Sequence, residues 1–415
     1  MKVQGVVDPS LASYVRGSLR AAERAGATVI LQIDSQGSYA GQAEPLGRAI
    51  RSATVPVVAW VGPSGARAAG GALFLVYASG LVAVAPGAGI GPGRPFDLAT
   101  RASAEGPSRV AAEEAVLERL ASSAGGSTGG VSTGSVSTAG VTTAGVRRAV
   151  AGPVLAAGPA VAAGAAGLIA SDVVDLLKKL DGRSVSTARG PATVRAENGP
   201  NLKVEVRFHE IGIGQRILHA ISTPTAVYVL LVIGLWLLAF ELTQPGFGVA
   251  GIGGALALAG AGYGLAVIPV SWFGLGLLVG GIGMQGLDVV IRRVAWLTLG
   301  GTAAFAAGSV LAWHSVAPAI DLSLWLIVLL TIAGALFFGF GMTVALRSRE
   351  RVRTAQVGLV GLVGEARGDL NPEGAVFVKG TLWRARSSNG PIPKGRRVRV
   401  RGIDGLILRV EEEPD

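Results

Sequence analysis

The sequence predicts a multidomain membrane protein with three parts: a soluble α/β region, a bundle of about five apolar helices, and a small all-β barrel. Three observations predict it. Half of the 415 residues are hydrophobic and the mean hydropathy is +0.52, too apolar for a wholly soluble chain. Five long apolar runs follow one another after Pro224, and short alternating segments bounded by turn residues fill the last sixty or so positions.

The first region alternates helix-like and strand-like stretches. Leu11, Val15, Leu19 and Ala22 recur at helical intervals, and the β-branched run AGATVILQID follows them. GQAEPLGRAIRSA, VPVVAWVG, GARAAGGALFLVYAS and GLVAVAP repeat the pattern as helix, strand, helix and strand. Such alternation with short turns implies a parallel or mixed sheet covered by helices. Residues 122–145 are a Gly/Ser/Thr/Val tract without a large side chain, which predicts a flexible insertion. After it, Val173, Leu176, Leu177 and Leu180 form an amphipathic helix ended by Gly182, and a hairpin is expected to turn at Asn198-Gly199-Pro200. Residues 1–208 are assigned to this region and 209–223 to a linker.

Residues 224–346 hold the apolar runs, each near the roughly 20 residues that span a bilayer core. Their many glycines suit close helix packing in lipid. Only Glu241 and Asp288 are acidic within them, too few polar groups for a transporter's midplane site. Arg292 and Arg293 lie between the third and fourth runs; Arg347, Arg349, Arg351 and Arg353 lie in the basic linker 347–356 after the fifth. Five spans put both clusters on one side, which the positive-inside rule assigns to the cytoplasm. The N-terminal region is then expected outside. No export signal precedes it, so the chain is expected to be N-terminally incomplete.

Residues 357–415 read as about five short strands with turns at Asn371-Pro372, Asn389-Gly390 and Lys394-Gly395. In GRRVRVRG the arginines alternate, which places Arg397, Arg399 and Arg401 on one solvent-facing strand face, a candidate surface for lipid or a protein partner. Phe377 and Trp383 are too few aromatics for single-strand stacking, so no nucleic acid is expected. The chain has no cysteine, which excludes disulfides and thiolate chemistry, and its three scattered histidines offer no metal cluster. Cofactors and metals: none expected.

Taken together, IDSQGS (33–38), PSGARAAGGA (63–72), APGAGIGPGRP (85–95), LKKLDGRSV (177–185), ELTQPGFGVAGIGG (241–254), and the NPEG to LILRV stretch (371–410) resemble the NfeD family. That family joins a ClpP-like (ClpP/crotonase-fold) serine protease domain, a multispan membrane region and a C-terminal OB-fold barrel. The resemblance implies a serine nucleophile directly after GARAA and a lysine base further along. The matching position here is Gly70, and no lysine lies between Lys2 and Lys178. Arginines such as Arg147 and Arg148 cannot serve as a base near neutral pH. Gly37-Ser38 stands where the family has a Gly-Gly oxyanion loop. The expected function is therefore a non-catalytic scaffold or adaptor; the alternative is a membrane-bound serine endopeptidase of the ClpP-like class, which would need Ser64 or Ser79 as nucleophile. The resemblance also implies a stomatin- or flotillin-like SPFH partner beside the bilayer, with self-association left open, and a β-strand before Gly5 that this chain is expected to lack.

Overall fold

A computed structural model describes residues 1–39, 41–98, 107–123, 140–195, 206–243, 248–291, 295–314, 322–341 and 358–414. The α/β region and most of the apolar helices form one compact unit, and the C-terminal barrel belongs to a second.

The N-terminal region opens with β1 (Lys2–Gln4), α1 (Pro9–Ala25), β2 (Val29–Asp34), α2 (Ala43–Arg51) and β3 (Val57–Val61). The strand expected to be missing before Gly5 is thus present: β1 pairs in parallel with β2, Lys2 opposite Gln32. Helix α1 starts where the sequence supplies its cap. The Asp8 carboxylate accepts the Leu11 N–H at 2.7 Å, and Pro9 takes a first-turn position that has no N–H to satisfy. Next come β4 (Arg67–Ala68), α3 (Ala72–Ala78), β5 (Leu81–Val84) and β6 (Gly89–Ile90). Helix α4 (Pro107–Ser123), α5 (Thr143–Ala151), β7 (Leu155–Ala156), α6 (Ala157–Ala162), β8 (Leu168–Ile169), α7 (Val173–Leu180), β9 (Ser184–Thr187) and β10 (Gly190–Thr193) complete the region.

The predicted parallel sheet is present, ordered β1-β2-β3-β5-β8. Its central strand β3 is buried along its whole length, which is why VVAWV carries no polar alternation. A three-stranded sheet, β4-β6-β7, adds a second small layer. The helix expected from Gly65 onward starts only at Ala72, because Arg67 and Ala68 pair with Gly89 and Ile90 instead. The turn predicted at Asn198-Gly199-Pro200 lies outside the described residues; β9 and β10 form a hairpin just before it.

The tract predicted to be a flexible insertion shrinks at its C-terminal end. Most of it lies outside the described residues, but Val141 is buried and Thr142 caps α5, its hydroxyl accepting the Gly145 N–H at 3.0 Å. The expected linker 209–223 also holds a helix, α8 (Ile213–Ile221).

The apolar helices are α9 (Pro224–Thr243), α10 (Val249–Val267), α11 (Trp272–Ile291), α12 (Ala295–His314) and α13 (Leu324–Leu336), the last continued by a π-helical turn at Phe337–Gly341. Four are long and apolar enough to cross a bilayer, and the fifth apolar helix is shorter among the described residues. Glycine does what its abundance predicted. A Cβ on Gly274, Gly281 or Gly308 would come within 2.3–2.5 Å of the facing backbone of α11 or α12, so only hydrogen permits this approach. The arginines expected to orient the bundle, at 292–293 and 347–353, lie outside the described residues.

The C-terminal strands are β11 (Val363–Ala366), β12 (Glu373–Val378), β13 (Thr381–Ser387), β14 (Arg397–Asp404) and β15 (Ile407–Glu412). They close into a barrel ordered β11-β12-β13-β15-β14, with β13 and β15 parallel. Val376, Val378, Ala385, Val398, Val400, Leu408 and Val410 fill it, the inward half of each alternating strand.

Candidate functional site

The loop after β2, the turn between β4 and α3, and the segment after β6 meet beside the C-terminal ends of the parallel strands, where open α/β sheets place ligands. Main-chain hydrogen bonds zip them together. The Ser35 N–H donates to Arg67 O at 2.7 Å, Ala69 N–H to Ser35 O at 3.0 Å, and Gly70 N–H to Pro92 O at 2.8 Å.

Gly70 sits in this meeting point with φ +52°, a left-handed backbone that glycine adopts without steric cost. A Cβ there would lie 2.6 Å from Pro95 O and 3.2 Å from Gln36 O, both main-chain atoms. At Gly71 it would lie 2.2 Å from Ser38 Oγ and 2.6 Å from Phe96 O. Ser38 is buried; its hydroxyl donates to Phe96 O at 3.2 Å and its carbonyl accepts the Leu98 N–H at 2.9 Å. Ser38 and Asp97 form a parallel bridge, and the Asp97 carboxylate accepts the Gly41 N–H at 3.0 Å. Leu98 lies over Gly37, whose N–H donates to Ser35 Oγ at 3.4 Å. Gly37, Ser38 and Gly70 lie together, and residues 95–98 of the same chain fill the space beside them.

The other residues weighed for catalysis do not assemble. Ser64 is exposed, while Ser79 is buried and donates to Leu75 O at 2.9 Å within α3. Arg147 binds Glu118 through two hydrogen bonds. Lys179 donates to Asp175 and to Ile169 O, both at 2.8 Å, and Lys178 is exposed on the same helix. No group of three metal-ligating side chains occurs among the described residues.

One polar site was not legible in the sequence. His219 of α8 reaches back to the start of α1, its Nδ1 2.8 Å from the Asp8 carboxylate and its Nε2 3.1 Å from Gln4 O. Both neighbours are acceptors, so the ring satisfies them only by donating from both nitrogens, as an imidazolium. The Asp8 hydrogen bond holds the His219 pKa above its usual value against the opposing effect of burial. Burial pushes the Asp8 carboxyl up, yet hydrogen bonds from His219, the Leu11 N–H and Ser10 leave it below the usual carboxylate range. Asp8-Pro9 signals a helix start by its cap chemistry, but nothing local announces a partner at position 219.

On the barrel, Arg397, Arg399 and Arg401 do share a face of β14 opposite the buried Val398 and Val400. That face is not a bare cationic surface. Arg399 pairs with Glu413, Arg401 with Glu411, and the neighbouring Arg396 with Glu412. The antiparallel register of β14 on β15 sets Arg399 across from Glu411 and Val398 across from Glu412, so the ion pairs run diagonally between the two strands. Trp383 lies half-buried against the barrel core, on the inward side of β13 with Ala385.

Residues 225–344 match the NfeD integral membrane domain, and residues 357–412 match the NfeD-like C-terminal, partner-binding domain. The chain thus carries an NfeD membrane domain and an NfeD-like C-terminal domain. A relative named membrane-bound protease PH1510, from Pyrococcus horikoshii, is 28% identical over 401 residues, which cover 93% of this chain and 86% of that protein. Among solved structures, the 1510-N membrane protease specific for a stomatin homolog, also from Pyrococcus horikoshii, is 21% identical; the match covers 53% of this chain and 96% of that one, with a TM-score of 0.42. The C-terminal domain of the stomatin operon partner protein 1510-C, from the same organism, is 48% identical over 14% of this chain and 95% of that one, with a TM-score of 0.14.

Proposed function

We propose that this NfeD protein is a non-catalytic membrane scaffold or adaptor that keeps the protease-like frame and works beside a stomatin-like SPFH membrane protein. Gly70 carries the reading. A nucleophile at this position needs a Cβ, and the main chain of Pro95 and Gln36 already occupies the space it would take. The loss of lysine between Lys2 and Lys178 removes the base that the family resemblance implies. Asp97 and Leu98 already pair with Ser38, so that edge is taken by the chain itself. The partner-binding description of the C-terminal domain and the name of the stomatin operon partner protein 1510-C, whose C-terminal domain is 48% identical to the matching part of this chain, support an SPFH partner. The pairing of Arg399 and Arg401 with carboxylates favours a protein over an anionic leaflet as what the barrel face meets.

The name of the PH1510 relative favours one rival, a membrane-bound serine endopeptidase. Fluorophosphonate labelling of the solubilised protein separates the two: no labelled serine is expected, and stoichiometric labelling abolished by one serine substitution would overturn the scaffold reading. We further propose that residues 1–223 face away from the cytoplasm and the barrel faces it, on the arginines at 292–293 and 347–353 and five spans. Reporter fusions after Ser222 and after Asp415 should report opposite sides; cytoplasmic signals at both would reject this arrangement.

A further inference from the structure

Helix α8 has two faces with different fates. His219 and Gln215 lie on one of them, where His219 binds Asp8 and the Gln215 carbonyl accepts the Ser10 hydroxyl at 3.3 Å. At 100° per residue, Ile213 and Ile217 fall on the opposite side. Their side chains are open, Ile213 at 79% and Ile217 at 57% exposure. The contacts of the polar face hold α8 in this rotation, so the isoleucines cannot turn inward onto the domain.

The position of the helix says what covers them. Only Ser222 and Thr223 separate α8 from Pro224, the first residue of a membrane-spanning helix. At its end, the Ile221 carbonyl lies against Gly264 of α10, one turn from where α10 stops at Val267. That end of the bundle is where α9 begins, α10 ends and α11 begins, and Trp272 and Phe273, both exposed, start α11 there. Exposed aromatics at the end of a span mark the level of the headgroups. The apolar edge of α8 thus meets the bilayer boundary that α9 enters.

We propose that α8 is a membrane-surface helix, with Ile213 and Ile217 sunk into the boundary between headgroups and acyl chains and His219 turned to the soluble domain. An interfacial helix buries its apolar face to a depth of about 5–10 Å. The consequence is a fixed height and tilt of the N-terminal domain over the membrane, set by a helix gripped from both sides. The inference does not depend on whether the domain is catalytic.

The chain lacks cysteine, so single cysteines can be placed without a background. Ile213→Cys and Ile217→Cys, each labelled with the environment-sensitive fluorophore NBD, would be reconstituted into vesicles of phosphatidylethanolamine and phosphatidylglycerol. Arg48→Cys on the soluble domain gives a water reference, and Leu256→Cys, exposed midway along α10, gives an acyl-chain reference. Emission from both α8 sites should be shifted to the blue of Arg48→Cys and quenched more by a spin label near the headgroup than by one deep in the chain, with Leu256→Cys showing the reverse order. Emission matching Arg48→Cys would overturn the proposal by placing the face in water. A blue shift without lipid quenching would overturn it too, by showing that a second copy or another protein covers the face. Both substitutions are at exposed positions, and an unchanged melting temperature confirms that each variant is folded before its spectrum is read.

Discussion

Around Gly70 the close neighbours are main chain, whereas around His219 a carboxylate, an imidazole and a hydroxyl meet. The two places lie in one compact unit and both join segments distant in sequence. At Gly70 the joining is made backbone to backbone, with a glycine where a Cβ would collide. At His219 it is made by an ion pair, which makes that contact sensitive to pH.

The sharpest way to break the first half of the comparison is to put a side chain back. Gly70→Ser imposes a left-handed φ on serine and drives its Cβ into Pro95 O; strain of about 1–3 kcal/mol and overpacking of a similar size sum to roughly 2–6 kcal/mol of lost stability. The variant should melt well below the wild type and still cleave no peptide. Gly41→Ala separates the two causes. Its φ is +63° with nothing within 4 Å of the new Cβ, so it should cost only about 1 kcal/mol of strain. Equal losses at both positions would show that crowding at Gly70 is unimportant.

The second half is broken through His219. Replacing it by alanine removes a hydrogen bond to a charged group and leaves the buried Asp8 with one acceptor site unmet, an expected loss of about 1.5–3 kcal/mol near pH 6. The pH dependence has a definite sign. His219 has a raised pKa, so its contribution is complete below the ordinary value of 6.5 and is lost as pH rises through the folded value above it. Asp8 has a lowered pKa, so its contribution is present above 3.8 and is lost as pH falls through the folded value below that. Tyr39, the other titratable group coupled to Asp8, is pushed up to about 12 by burial and by the Asp8 charge and stays neutral throughout. The wild type should therefore lose thermal stability relative to His219→Gln as pH rises above the ordinary histidine value and through the raised folded value of His219, while the variant stays flat there. Parallel curves for the two proteins would show that the pair does not titrate in this range.

How much of this was legible in the sequence differs by region for physical reasons. The parallel sheet, the apolar helices and the closed barrel follow from hydrophobic period, which each strand and helix carries within itself. GARAAGG marked the turn at Gly70, because a motif is local, but its reading as the start of a helix failed: Arg67 and Ala68 find strand partners at Gly89 and Ile90, beyond the reach of periodicity. The Asp8–His219 pair spans 211 positions and α8 looked like linker, since a nine-residue helix with Gly214 in its first turn carries a weak helical signal without the surfaces that it docks on. The Arg397, Arg399 and Arg401 face was legible, but not its neutralisation, which depends on the register that brings Glu411 to Glu413 alongside.

A smaller effect tests the edge of the insertion. Deleting residues 124–139 should leave the melting temperature nearly unchanged, because shortening a loop alters closure entropy by only about 0.6 kcal/mol per halving. Extending the deletion through Gly145 removes buried Val141 and the Thr142 cap of α5 and should cost several degrees. If the shorter deletion is equally damaging, the low-complexity composition has misled.

The smallest effect on stability, and the most informative one for the barrel, comes from its charge ladder. Glu413 is held below the usual carboxylate range by hydrogen bonds from Arg399, but the pair is open to solvent, and exposed pairs contribute little to folding. Glu411→Gln, Glu412→Gln and Glu413→Gln together should barely move the melting temperature. They would, however, release the arginine face. If the carboxylates are what keeps β14 from acting as a lipid-binding surface, the triple variant in neutral phosphatidylcholine nanodiscs should bind vesicles containing phosphatidylglycerol more strongly than the wild type, and added salt should reverse the gain. Strong, salt-sensitive vesicle binding by the wild type itself would mean that the ladder does not neutralise the face, and would move the barrel's partner from protein toward lipid.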